Sequence, residues 1–98
     1  MNVPVYIMAR TPGAKPEDTV EWTDVCHSKF DFVFINHVTT RLVGDSGRRV
    51  AVRKRPFLVE TKTYRPGSYN PCFTWSTHYT LEAAVKEAHR VAKRKGAK

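Results

Sequence analysis

The sequence predicts an α+β domain: a small, mostly antiparallel β-sheet of three to five strands, built on a long central hairpin, with one C-terminal amphipathic α-helix packed on one face. Three observations predict it. Leu81, Ala84, Val85, Ala88, Val91 and Ala92 recur at three- and four-residue intervals, the period of a helix with one apolar face. Residues 29–43 are dense in Phe, Val, Ile and Thr. After Gly44-Asp45-Ser46-Gly47 the chain returns over residues 48–64, as two paired strands would.

Taken in order, Val3 to Ala9 reads as a first strand, with Pro4 marking an edge or a strand start because it lacks an N–H. Residues 10–16 are loop chemistry, with two prolines and a glycine. Glu17 to Ser28 is ambiguous. Its acidic start suits a helix N-terminus, yet Val20 and Trp22 have strand spacing, so strand or irregular structure is expected. Lys29 to Val43 and Arg48 to Tyr64 form the long hairpin, interrupted near Pro56 by a bulge or an edge position. Residues 65–71 form a second loop, and Cys72 to Tyr79 a last strand with Phe73 and Trp75 on one face. Thr80 is the expected N-cap of the helix, and Gly96 is placed to close it. Phe30, Phe32, Phe34, Val52, Leu58, Phe73 and Trp75 are the candidates for the core facing that helix.

Ninety-eight residues with 41% hydrophobic content make one domain, residues 1–98, with a modest core. No apolar run approaches the about 20 residues needed to span a bilayer. The first eight residues lack a basic n-region, so a cytoplasmic location without membrane contact is expected. Two cysteines, Cys26 and Cys72, do not make a disulfide scaffold and read most simply as small hydrophobes.

Charge is the strongest functional signal. Residues 1–40, 41–65 and 66–98 carry −2, +6 and +4, giving a net +8. Like charges crowded this way repel, so their use lies in a negative partner. On the returning hairpin arm Arg49, Arg53 and Arg55 share one strand face, a ladder of cations set one or two steps of about 7 Å apart. Arginine grips phosphate bidentately. The expected nucleic-acid contacts are therefore Arg41, Arg48, Arg49, Arg53, Lys54, Arg55, Lys62 and Arg65 from the hairpin region. The helix adds Lys86, Arg90, Lys93 and Arg94. Tyr64 and Tyr69 border the second loop and are the candidates for stacking on bases. Phe73 and Trp75 are expected in the core, the commoner fate of aromatic residues alternating in a strand.

The leading expectation is a non-enzymatic nucleic-acid-binding module, for DNA or RNA. The alternative is an inhibitor or adaptor that docks on an acidic or nucleic-acid-binding protein surface. A contiguous exposed apolar patch beside the basic one would favour that alternative. A third is a metal-independent ribonuclease using His37 or His78. Cys26, His27, Cys72 and His78 lack the spacing of any compact zinc module, and no cofactor is expected. KH, RRM and zinc-finger signatures are absent. The acids Glu17, Asp18, Glu21 and Asp24 are placed either to pair with Arg48 and Arg49 or to meet the basic arm of a second copy in a homodimer.

Overall fold

The computed structural model describes residues 3–43, 47–51 and 54–96, with the backbone alone for 41–43 and 49–51. Among the described residues seven strands form: β1 Val5–Met8, β2 Thr19–Val20, β3 Phe32–His37, β4 Thr40–Val43, β5 Arg48–Ala51, β6 Phe57–Thr63 and β7 Cys72–His78. A 3₁₀ turn spans Pro16–Asp18, a one-turn helix α1 spans Trp22–Val25, and the long helix α2 spans Leu81–Gly96.

Five strands make one sheet in the order β2-β1-β3-β6-β7, and β4 and β5 make a separate two-stranded ribbon. The α+β class is as the sequence predicts, but the sheet is mixed. β1 runs parallel to both β2 and β3, whereas β3, β6 and β7 are antiparallel. Parallel neighbours require a crossover of a dozen or more residues. Residues 9–31 supply it, and their composition hides a two-residue strand and a single helical turn. Pro4 is a strand start: it precedes β1, and its carbonyl accepts a hydrogen bond from the Val33 N–H at 2.9 Å.

The expected long hairpin exists in two pieces. β3 and β6 pair from Phe32↔Lys62 to His37↔Phe57, and the ribbon pairs from Thr40↔Ala51 to Val43↔Arg48. Between them the Val38 N–H donates to the Pro56 carbonyl at 2.8 Å, and Arg55 takes a left-handed φ of 53°. Pro56 has no N–H for a ladder, so the pairing breaks there and the ribbon leaves the sheet.

The two faces of the sheet hold different cores. On one, Val33, Ile35 and Val59 meet Ala84, Ala88 and Ala92 of α2. On the other, Phe32 and Phe34 pack with Met8, Val25, Tyr6 and Val20 under the 9–31 crossover. The phenylalanines expected to meet the helix therefore lie on the opposite side. Three alanines let α2 approach closely, and β-branched residues offer it a flat surface, whereas aromatic rings would hold it away. Thr80 caps the helix, its Oγ1 accepting from the Ala83 N–H at 3.1 Å, and Gly96 belongs to the last turn rather than following it.

Ala88 is fully buried in this contact. Ala88→Leu is expected to destabilise the domain by about 1–3 kcal/mol through overpacking. In a domain of this size that lowers the melting temperature by roughly 4–8 °C per kcal/mol. Thermal melts followed by circular dichroism check this, and an unchanged melting temperature would contradict the close helix–sheet approach.

Candidate nucleic-acid interface

Residues in register across a sheet share a face. Phe32, Lys62 and Phe73 form one such row, and Phe34, Glu60 and Trp75 the next. Both rows lie on the side away from α2. The crossover covers β1, β3 and, at Lys62, part of β6 on that side, and leaves the rings of β7 exposed. Phe73 and Trp75, expected in the core, are therefore 45% and 68% exposed. Phe30 and Trp22 are also exposed, Leu58 is half-buried, and Val52 lies outside the described residues. β7 has a neighbour on one side only, so alternation in an edge strand pointed its rings to solvent rather than to a core.

The rings form a connected group. Trp22 lies 5.1 Å from Phe34 and 6.5 Å from Phe73, and Phe34 meets Phe73 edge-on at 6.4 Å. Beneath them Phe32 contacts Tyr6 and Phe34 at 5.5 and 5.6 Å. An open cleft of about 480 Å³ runs beside this group, lined by Trp22, Phe34 and Phe73 and by the polar residues Arg10, Glu21, Asn36 and Glu60. Sequence reading missed this site, because its residues come from β1, the crossover, β3, β6 and β7 and share no local motif.

Glu60 is half-buried there, and burial pushes its carboxyl above the ordinary value, opposed in part by a hydrogen bond from Asn36. The folded protein thus holds this proton more tightly than the unfolded chain does. The stability involved is fully present below the unfolded carboxyl's value and is lost as pH rises through the raised one. Glu60→Gln is expected to raise the melting temperature near neutral pH and to flatten this part of the pH–stability curve. Melts from mildly acidic to neutral pH check it, and a lower melting temperature at neutrality would contradict it.

Cations stand at several edges of the sheet. Arg10 stands at the cleft rim with a left-handed φ of 68°. Arg55 lies over the Tyr79 ring at 4.8 Å, beyond the end of β7. Arg94 of α2 shares a groove of about 240 Å³ with Trp75 at the β7 edge. At the other end of the sheet Lys29, Arg65, Tyr64 and Tyr69 line a cleft of about 230 Å³, and the Tyr69 side chain is fully exposed.

The other residues expected to meet nucleic acid fall as follows. Arg48, Lys54, Lys86, Arg90 and Lys93 are exposed. The Arg90 guanidinium is engaged with Glu87, its Nε donating at 2.9 Å, and Glu87 is held below its usual value by that bond. Arg53 lies outside the described residues, as do the side chains of Arg41 and Arg49. The ladder from Arg49 to Arg55 is not one strand, because β5 ends at Ala51 and Arg55 has left-handed backbone.

Lys62 is the clearest departure from expectation. Read as a phosphate grip, it is instead 3% exposed. Its Nζ donates to the Ser28 and Cys26 carbonyls at 2.7 and 3.2 Å and to Ser28 Oγ at 3.1 Å, matching the three donors of an ammonium. It also lies over the Phe32 ring at 5.2 Å. A lysine on the crossover-covered side of β6 thus pins the crossover to the sheet.

His37 and His78 flank Phe57 in one cross-strand row, so a whole strand separates them, about 10 Å at the usual strand spacing. His78 Nε2 is bonded to Ser76 Oγ at 2.9 Å. Both cysteines are free thiols and half-buried. Among the described residues no three His, Cys, Asp or Glu side chains gather as metal ligands, and no helix is long and apolar enough to cross a membrane. No protein-family model matches the chain, and no similar protein was found among curated proteins or solved structures.

Proposed function

We propose that this protein binds single-stranded nucleic acid without catalysis, stacking unpaired bases on the open face of its sheet and holding phosphates with the surrounding cations. The observation that carries the reading is the make-up of that surface. Among the described residues every exposed large hydrophobic side chain is aromatic: Trp22, Phe30, Tyr69, Phe73, Trp75 and Tyr79. Bases stack on such rings whatever their identity. The net charge of +8 supplies the attraction to a polyanion. Duplex bases are already stacked, so an aromatic face favours unpaired strands.

A protein partner is the second reading. The rings of Trp22, Phe34 and Phe73 are in contact, as part of an interface for an acidic protein would be, and aromatic residues are enriched in such interfaces. The absence of exposed large aliphatic side chains among the described residues favours bases.

Salt separates the two readings. If about six phosphates are neutralised, the log–log dependence of single-strand affinity on salt should have a slope near −4. Fluorescence anisotropy with labelled DNA and RNA strands, alone and as duplexes, measures it. A slope near zero, or no binding at physiological salt, would overturn the nucleic-acid reading and favour a protein target.

A further inference from the structure

The cleft beside Trp22, Phe34 and Phe73 contains a feature that stacking alone does not use. Glu60 is a half-buried carboxylate that, among the described residues, has no ion-pair partner. Its neighbour in the cleft lining, Asn36, holds it in place. Asn36 Oδ1 accepts the His37 N–H at 3.1 Å, and Asn36 is also hydrogen-bonded to the Glu60 side chain. A carboxylate has about four acceptor sites, and the Asn36 bond takes up one of them. The exposed rings of Trp22 and Phe73 border the same space, and Arg10 stands at its rim. The occupant that fits is flat, aromatic and equipped with two adjacent N–H donors.

We infer that this cleft receives one unpaired guanine base, its face against Trp22 and Phe73 and its Watson–Crick edge on the Glu60 carboxylate. The inference rests on the single-strand reading and adds base specificity to it. Guanine alone among the common bases presents two neighbouring donors, N1–H and the N2 amino group, on that edge. Adenine, cytosine and uracil each place an acceptor where Glu60 has only lone pairs, and an unpaired buried acceptor is unfavourable. Arg10 would meet the adjoining phosphate. An arginine side chain from a protein carries similar donors, but its positive charge would approach a chain of net charge +8, whereas a nucleotide brings compensating negative charge.

The test is fluorescence anisotropy with four short strands: thymidine alone, and thymidine with one central guanine, inosine or adenine. The guanine strand is expected to bind about 10- to 100-fold more tightly than the thymidine or adenine strands, the worth of one bidentate base contact. Inosine lacks the N2 amino group and should fall between. This probe leaves the protein untouched, so a folding defect cannot mimic its effect. Glu60→Gln should bring the guanine strand down to the level of the thymidine strand. Equal binding of all four strands would overturn the guanine site while leaving the single-strand reading standing. Binding of none would overturn both. Quenching of tryptophan fluorescence by arginine amide but not by guanosine monophosphate would overturn the base assignment in favour of a protein arginine.

Discussion

Replacing Phe73 and Trp75 together by alanine is expected to weaken binding to an unstructured strand by about 2–6 kcal/mol, roughly thirtyfold to twenty-thousandfold, since each stacked base is worth about 1–3 kcal/mol. The two rings sit on the same edge strand one alternation apart, so neighbouring bases of one strand reach both and their effects need not add. Trp75 is the cleaner single test. It is 68% exposed, so Trp75→Ala leaves no cavity and should barely move the melting temperature. Phe73 also touches Trp22 and Phe34, and its loss should loosen the cleft wall. Anisotropy at fixed salt, with melts of the same samples, checks both effects. Unchanged affinity in the double variant would remove the stacking face from the account.

Lys62→Met is expected to be among the most destabilising single changes in the chain. Methionine keeps the length of the side chain but donates nothing, so the Cys26 and Ser28 carbonyls lose their shared partner. Each of the two orphaned carbonyls costs about 1–3 kcal/mol, which places the total at about 2–6 kcal/mol, a large fraction of the stability of a small domain. The loss should also reach the site. The bonds from Lys62 hold residues 26–28, which directly follow the one-turn helix that carries Trp22. Released from the sheet, Trp22 should show red-shifted emission and Phe32 should gain solvent exposure. Denaturant unfolding with tryptophan fluorescence measures both changes. A variant as stable as the parent, with unshifted emission, would show that the crossover is held by its apolar contacts alone.

Much of this fold was legible because the helix and the hairpin are local patterns. The Leu81–Ala92 stripe needs one helical turn to be recognised, and Thr80 marks its start. The parallel pairing of β1 with β3 was not legible, since nothing in Val5–Met8 or Phe32–His37 encodes a partner's direction. The split of the hairpin was half visible. Pro56 signalled an interruption, but the left-handed backbone of Arg55 had no cue in the sequence. Alternation correctly grouped Phe73 with Trp75, yet it cannot say whether a face is covered. That depends on which strand lies at the edge, a property of the whole sheet. For the same reason a β6 lysine was read as surface charge, when the crossover folded over it and supplied its acceptors. The basic stretches can be read from composition, whereas the cleft at Glu60 is assembled from five separate segments.

The most direct measurement uses the chain's two tryptophans. In a Trp22→Phe variant, Trp75 is the sole reporter, and it stands on the open face. Titration with a short thymidine strand at physiological salt is predicted to quench its emission in a saturable manner, with the same midpoint as binding followed by anisotropy and with weaker binding at higher salt. Binding seen by anisotropy while Trp75 emission stays constant, or no binding at all, would contradict the claim that this face stacks on unpaired bases.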